Sequence, residues 1–187
     1  HHFISEIDFK RLLKLESLED IWKNLAKVLY TTGIRKSEIF EGEINCTKLT
    51  IEGDDTKSRK QKNIPLEKWQ IDIVQQLQIY RDEYLANGYK FENLMGYITH
   101  KFQDAYIELG IYKKGRTNVH SLRHSFGTRM YMLTGDVKTV MELMHHEEES
   151  TTMGYLPSAK MGITIDDYLE AFPTDAKHSV FKDNVNR

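Results

Sequence analysis

The chain has 187 residues, of which 40% are hydrophobic and 29% charged, and its formal net charge is −2. A chain of this length and composition forms one folded domain, or part of a longer protein, and is not a disordered polymer. No stretch approaches the roughly 20 apolar residues that cross a bilayer, and no signal peptide precedes the first predicted helix. The single cysteine, Cys46, excludes an internal disulfide framework and fits a reducing, cytoplasmic setting.

Three helices are predicted in the first part of the chain. The first covers residues 6–15. The second begins after Ser17, which we expect to cap it, and Gly33 suits its end. Its apolar stripe is formed by Leu18, Ile21, Trp22, Leu25, Val28 and Leu29. A short third helix begins near Ser37.

A small antiparallel sheet is predicted next. Residues 46–51 contain alternating and β-branched side chains, Gly53-Asp54-Asp55 signals a turn, and a second short strand ends at Ile64. The longest loop of this sheet contains Lys57.

Helical spacing returns after Pro65 and continues to residue 144. The first of four predicted helices repeats at Trp69, Ile73, Leu77, Tyr80 and Tyr84. The second covers residues 92–109. The third covers residues 119–133, with an apolar stripe at Leu122, Phe126, Met130 and Leu133. Gly135 ends it, and a fourth helix follows. The predicted fold class is therefore mainly α with a small antiparallel β-sheet.

Basic residues are concentrated in two segments that lack acids. Residues 56–63 contain Lys57, Arg59, Lys60 and Lys62, and residues 109–135 contain Lys113, Lys114, Arg116, Arg123 and Arg129. From residue 147 onward, eight acidic residues accompany four basic ones. Two basic segments can bind a polyanion despite the net negative charge, although ordinary solvated surfaces give the same pattern.

Polar residues suited to catalysis occur in four separate segments. These are Thr32-Gly33-Ile34-Arg35 at a helix end, the Lys57 loop ahead of Ile64-Pro65-Leu66, His120-Ser121-Leu122-Arg123-His124 at a helix start, and His146 nine residues before Tyr155. Each segment alone is typical of surface residues. Their order and spacing together resemble the catalytic domain of the tyrosine recombinases, the phage integrase family, over residues 17–155. The resemblance implies the fold of these DNA breaking and rejoining enzymes.

The resemblance also implies six catalytic residues: Arg35, Lys57, His120, Arg123, His146 and Tyr155. The two arginines would hold the non-bridging oxygens of a DNA phosphate by paired, charge-assisted hydrogen bonds. Tyr155 would be the nucleophile. A phenol with a pKa near 10 is ionised in only about one molecule in a thousand at neutral pH, so His120 is the candidate base. Lys57 would protonate the leaving 5′ hydroxyl, and His146 would orient the transition state.

The implied reaction is a transesterification through a 3′-phosphotyrosyl intermediate, which requires no cofactor and no metal ion. The expected partners are double-stranded DNA, further copies of the chain in a tetramer on paired DNA sites, and an accessory DNA-bending protein; whether the chain is monomeric without DNA stays open. We expect no membrane partner, a location in the prokaryotic cytoplasm at the nucleoid, and a role in integrating or excising a mobile element. Predicted contacts to the DNA backbone are Arg59, Lys60, Lys62, Lys113, Lys114 and Arg116.

The sequence departs from the family pattern next to His146. The family commonly has glycine directly before this histidine, whereas this chain has His145, which is an alternative candidate for the same role. The run of Glu147, Glu148 and Glu149 is unusual beside an anionic substrate. His124 is interpreted as a structural histidine.

The predicted organisation has three parts. Residues 1–2 are interpreted as the remnant of an expression tag, residues 3–160 as the catalytic domain, and residues 161–187 as a tail. Thr164 caps a short helix in the tail, which docks either on a neighbouring protomer or on its own domain. The additional N-terminal domain of the family is not in this sequence, so we expect it to be a piece of a longer protein.

Three other functions fit parts of the sequence. Residues 119–144 could form a helix-turn-helix DNA-binding module without catalysis. His120 and His124, with His145, His146 and the three glutamates, could form a metal hydrolase, which a chelator would inactivate. A type IB topoisomerase shares similar chemistry, but the spacing of His146 and Tyr155 favours an integrase.

Overall fold

The structure is a computed structural model and describes residues 3–52 and 61–144. Within these ranges the elements are, in chain order, α1 (Glu6–Leu13), α2 (Asp20–Thr32), α3 (Lys36–Glu41), β1 (Glu43–Asn45), β2 (Lys48–Ile51), β3 (Lys62–Pro65), α4 (Lys68–Ala86), α5 (Phe91–Glu108), α6 (His120–Thr134) and α7 (Val137–Met144). The predicted fold class, mainly helical with one small antiparallel sheet, is confirmed.

The second helix begins later than the sequence suggested. Glu19 is the residue preceding α2, and the hydroxyl of Ser17 instead donates to the carboxylate of Glu108. The predicted cap at Ser17 was therefore wrong, because the side chain is drawn to the end of α5. The end of α2 is as predicted, since Gly33 adopts a left-handed conformation with φ of 66°.

The sheet has one strand more than the sequence indicated. Its order is β1-β2-β3, and both pairs are antiparallel. β1 is only three residues long, with Ile44 between two polar residues, so no alternating pattern announces it. Lys57 and the predicted turn at Gly53 fall between β2 and β3 in the sequence, outside the described residues.

The sixth helix lies at the centre of the domain, packed against α2 and α7. The sequence predicted one apolar stripe along this helix, at Leu122, Phe126, Met130 and Leu133. Every residue from 121 to 130 is in fact buried, because protein surrounds this helix. The polar side chains of residues 121–130 are therefore interior groups rather than surface groups.

The burial of α6 changes the interpretation of the second basic segment. Arg123 and Arg129 are buried. The Arg129 guanidinium lies 3.6 Å from the centre of the Tyr30 ring, and Tyr30 stacks on Phe9. Only the loop before α6 presents exposed cations in this segment, at Lys113, Lys114 and Arg116.

Within residues 3–52 and 61–144, none of the helices has the length and apolar character needed to cross a membrane.

Glycine is required at position 33 for two separate reasons, its backbone conformation and the lack of space for a side chain. A second glycine with a similar conformation, Gly135, allows the two effects to be measured separately. Its φ is in the left-handed region, and a Cβ at this position would overlap the Phe126 ring and lie 3.0 Å from the Met144 sulfur. Gly135 has nearly the same φ, 63°, but a Cβ there meets nothing within 4 Å.

We therefore expect Gly33→Ala to lower the free energy of unfolding by about 3 kcal/mol, through backbone strain plus overpacking, and Gly135→Ala by about 1 kcal/mol, through strain alone. Urea unfolding of both variants measures the difference. Equal losses would contradict the close approach of Phe126 to Gly33.

Candidate active site

The position of Arg35 follows from the way that α2 ends. The left-handed turn at Gly33 reverses the chain, and Arg35 then becomes the residue that precedes α3. The other end of α3 is anchored on α4. Nε2 of Gln78 donates to the carbonyl oxygens of Ile39 at 3.0 Å and Gly42 at 2.7 Å, and Arg81 donates to the carbonyl of Phe40. The short helix that carries Arg35 is thus fixed at both ends.

Arg123 is the second arginine of the predicted set, and it is only 2% exposed. One of its Nη atoms donates to the carbonyl oxygen of Gly33, and the other donates to that of Met144 at 2.7 Å. Gly33 is two residues before Arg35. The two predicted phosphate-binding arginines are therefore linked through the end of α2.

His120 lies at the start of α6, where its backbone N–H donates to Oδ1 of Asn118 at 2.8 Å. Burial of the imidazole, together with the positive charges of Arg123, Arg35 and Lys36, lowers the pKa of His120 to about 4, and the negative charge of Glu38 opposes this. The hydrogen bond from Arg123 to the carbonyl oxygen of Gly33 brings α6 to the chain segment that leads into α3, and the charges carried by both helices act on the His120 imidazole. At neutral pH the His120 ring is therefore neutral, which is the form that accepts a proton.

Glu38 is a site residue that the sequence analysis missed. Its carboxylate is 8% exposed and accepts from Nη1 of Arg35 at 2.7 Å and from Nζ of Lys62 at 3.0 Å. It also accepts from the backbone N–H of Arg35 at 2.9 Å. Burial alone raises the pKa of Glu38, but Arg35 and Lys62 outweigh burial and hold the pKa at about 2. The sequence signal that could have identified Glu38 is the presence of an acid three residues after Arg35, which is the spacing of a reciprocal helix cap.

The ion pair with Glu38 also places Lys62, which the sequence analysis predicted to contact DNA. Its side chain is 10% exposed, so the ammonium lies within the site rather than on the open surface. The contact of Lys62 with the DNA backbone stays a prediction.

The structure brings together three of the six predicted catalytic residues: Arg35, His120 and Arg123. Lys57, His146 and Tyr155 lie outside the described residues, as do Arg59, Lys60, His145, Glu147, Glu148, Glu149 and the tail. Their roles stay predictions. His124 is buried beside Arg123, in agreement with a structural role.

In the described part of the chain, no group of three or more histidine, cysteine, aspartate or glutamate side chains is arranged to hold a metal ion. The predicted metal hydrolase needs His145 and His146, which are not among the described residues.

The Glu38 ion pairs predict a specific dependence of stability on pH. Because the pKa of Glu38 falls from an ordinary 4.5 to about 2 on folding, its stabilisation is fully present above pH 4.5 and is lost as the pH falls toward 2. Glu38→Gln should lower the free energy of unfolding by about 3 kcal/mol at pH 7, and the difference from wild type should disappear near pH 2.

The matched control is Asp72→Asn. This change breaks the Lys68–Asp72 pair, whose side chains are 90% and 52% exposed, and should change the free energy of unfolding by less than about 0.5 kcal/mol. Urea unfolding between pH 2 and pH 7 measures both. A constant Glu38→Gln effect across this range would contradict the low pKa.

Comparisons with known proteins identify similar sequences and structures. The model of the phage integrase family matches residues 3–161. The tyrosine recombinase XerC of Yersinia pestis is 28% identical over 173 residues, covering 82% of this chain and 55% of the relative. XerC of Histophilus somni is 30% identical over 162 residues, covering 78% and 53%. The chain thus spans about half the length of these curated relatives.

Solved structures share the fold. The catalytic domain of bacteriophage HP1 integrase superimposes with a TM-score of 0.57 at 20% identity, covering 95% of this chain and 98% of that domain. The XerH site-specific recombinase in a post-cleavage complex gives a TM-score of 0.58 at 19% identity, covering 86% and 50%. Since the family model matches most of the sequence, this chain belongs to the phage integrase family, and its fold is that of the tyrosine recombinase catalytic domains.

Proposed function

We propose that this chain is the catalytic domain of a site-specific DNA recombinase, which cuts and rejoins double-stranded DNA through a 3′-phosphotyrosyl intermediate at Tyr155. The observation that carries the proposal is the convergence of Arg35, Arg123 and a neutral His120 on one site. Guanidinium groups hold phosphate by paired hydrogen bonds, and a neutral imidazole accepts a proton. The XerC relatives named as tyrosine recombinases and the XerH structure bound to its difH substrate support the same activity.

The two arginines have different environments, which suits them to different tasks. The Arg35 side chain is 33% exposed, and within the described residues its guanidinium is paired with Glu38 through Nη1. Its Nη2 edge can therefore meet a phosphate from solvent. Arg123 is buried, and two of its five N–H groups donate to carbonyl oxygens. These two bonds fix the plane of the guanidinium before substrate arrives, which is the preorganisation that stabilises developing charge.

The proposed cleavage step balances as follows. The Tyr155 oxygen bonds to phosphorus as the bond from phosphorus to the 5′ oxygen breaks. The phenol proton passes to His120, and Lys57 gives a proton to the departing 5′ oxygen. A bound phosphate is an anion near His120, so it raises the pKa of this imidazole toward neutrality and makes it a stronger base. Rejoining is the reverse step, with a 5′ hydroxyl attacking the phosphotyrosine.

His146 completes the proposed site by a hydrogen bond to the phosphate or the departing oxygen. The proposed mechanism needs no metal ion, and cleavage should proceed fully in EDTA.

We further propose a tetramer on paired DNA sites, an accessory DNA-bending protein, and backbone contacts from Arg59, Lys60, Lys62, Lys113, Lys114 and Arg116. Integration or excision of a mobile element is the proposed process, and mapping of the cut on DNA flanking its own gene tests it.

The first test is covalent trapping. On a nicked substrate that releases its short 5′ fragment, the wild-type chain should form an adduct that resists denaturation, because the leaving hydroxyl diffuses away before rejoining. Tyr155→Phe removes the nucleophilic oxygen and should abolish the adduct. An adduct that persists in Tyr155→Phe would refute the assignment of the nucleophile.

The second test concerns the two arginines. Arg35→Ala and Arg123→Ala should each reduce the trapping rate by several kcal/mol in activation free energy, since charge-assisted contacts act at the transition state. Arg35→Lys and Arg123→Lys should rescue little, because lysine lacks the planar fork. Circular dichroism and urea unfolding of each variant separate lost cleavage from lost folding. An unchanged rate in either alanine variant would rule out its phosphate contact.

A further inference from the structure

Lys36 follows Arg35 directly and is the first residue of α3. Its ammonium donates to the carbonyl oxygen of Met95 at 2.7 Å and to the hydroxyl oxygen of Thr99 at 2.8 Å, both on α5. The Thr99 hydroxyl donates its own proton to the Met95 carbonyl at 2.8 Å, so its oxygen is the acceptor for Lys36. The two hydrogen bonds donated by Lys36 tie the first turn of α3, and hence the backbone that carries Arg35, to α5.

The oxygens that hold Lys36 are neutral. The same helix carries two acids, Glu38 and Glu41, and Glu38 pairs with Arg35 and Lys62. Burial lowers the pKa of Lys36 to about 8, so the ammonium is still the main form at pH 7. A positive charge is therefore held at this position by hydrogen bonds to a helix.

This charge acts on His120. Among the described residues, the charges that act on the imidazole are those of Arg123 on α6, of Arg35 just before α3, and of Lys36 and Glu38 on α3. Arg35 and Arg123 are the groups proposed to hold phosphate, so their charges are neutralised when substrate binds. The Lys36 ammonium is bonded to α5, and its position does not depend on a bound phosphate.

We propose that Lys36 is a positioning residue of this site, which ties Arg35 to α5 and supplies a fixed positive charge beside His120. The inference rests on the proposed function for the roles of Arg35 and His120. It assigns α5 a part in the site, although the predicted catalytic residues include none from that helix.

Three variants of the full chain separate the two effects. Lys36→Gln removes the charge and retains a hydrogen-bond donor toward α5. Lys36→Met removes both at similar length. Thr99→Val retains the charge and removes one acceptor. Lys68→Gln, at an exposed lysine of α4, is the control for the loss of a lysine elsewhere.

The first measurement is the NMR titration of the His120 ring without DNA, with its signal assigned by His120→Gln. Removal of a nearby positive charge favours the protonated ring, so Lys36→Gln and Lys36→Met should raise the pKa of His120. Thr99→Val and Lys68→Gln should leave it near the wild-type value. Because Thr99→Val loosens the same tie to α5 but keeps the charge, comparison with this variant separates the charge effect from a displacement of Arg35. An unchanged pKa in Lys36→Gln would overturn the charge effect.

The second measurement is the single-turnover rate of covalent trapping. The trapping rate of Lys36→Met should be about ten- to a hundredfold lower than that of wild type, because Arg35 is displaced. The trapping rate of Lys36→Gln should fall by less. A wild-type rate in Lys36→Met would overturn the positioning effect, and if Lys36→Met fails to fold, Thr99→Val decides this point by the same comparison. If wild type itself forms no adduct while the pKa of His120 still rises in Lys36→Gln, the proposed function fails and the charge effect stands.

Discussion

The site depends on one buried guanidinium that joins two helix ends. Arg123 is enclosed by protein, and a buried cation is costly unless its N–H groups are hydrogen-bonded. Its acceptors are the carbonyl of Gly33, just beyond α2, and that of Met144, the last residue of α7. Carbonyls at helix ends lack a partner within the helix and carry partial negative charge, so they suit a cation. The same bonds hold Arg35, two residues beyond Gly33, near the start of α6.

Gly33 makes this arrangement possible by its missing side chain. Phe126 and Met144 occupy the space that a Cβ would take, and the left-handed turn directs the chain into α3. Glycine at this position therefore allows close packing and the turn of the chain into α3. It also places the carbonyl oxygen that accepts a hydrogen bond from Arg123. Loss of any of these would move both arginines together.

Among the described residues, the site contains more cationic than anionic side chains, which suits an anionic ligand. In the part of the chain that the structure describes, it contains one carboxylate, Glu38, which pairs with Arg35 and Lys62, and two further cationic side chains, Lys36 and Arg123. Glu38 reduces the repulsion among these cations in the free protein and orients Arg35, but it leaves net positive charge. Burial of the imidazole, together with that positive charge, keeps His120 neutral, and a phosphate would compensate the charge. Stability of the free protein and affinity for an anion are thus set by the same few groups.

The sequence alone was sufficient for the helices with long apolar patterns and for the end of α2 at Gly33, because local spacing carries that information. Motif order also selected Arg35, His120 and Arg123, whose catalytic roles stay predictions. The sequence did not show β1, whose three residues are too few for a pattern, or the true start of α2, which depends on a contact between Ser17 and α5. Glu38, Lys36 and the burial of α6 were decided only by tertiary structure. Whether a charged side chain is solvated, paired or enclosed depends on which distant elements pack around it, and no local pattern in the sequence records that.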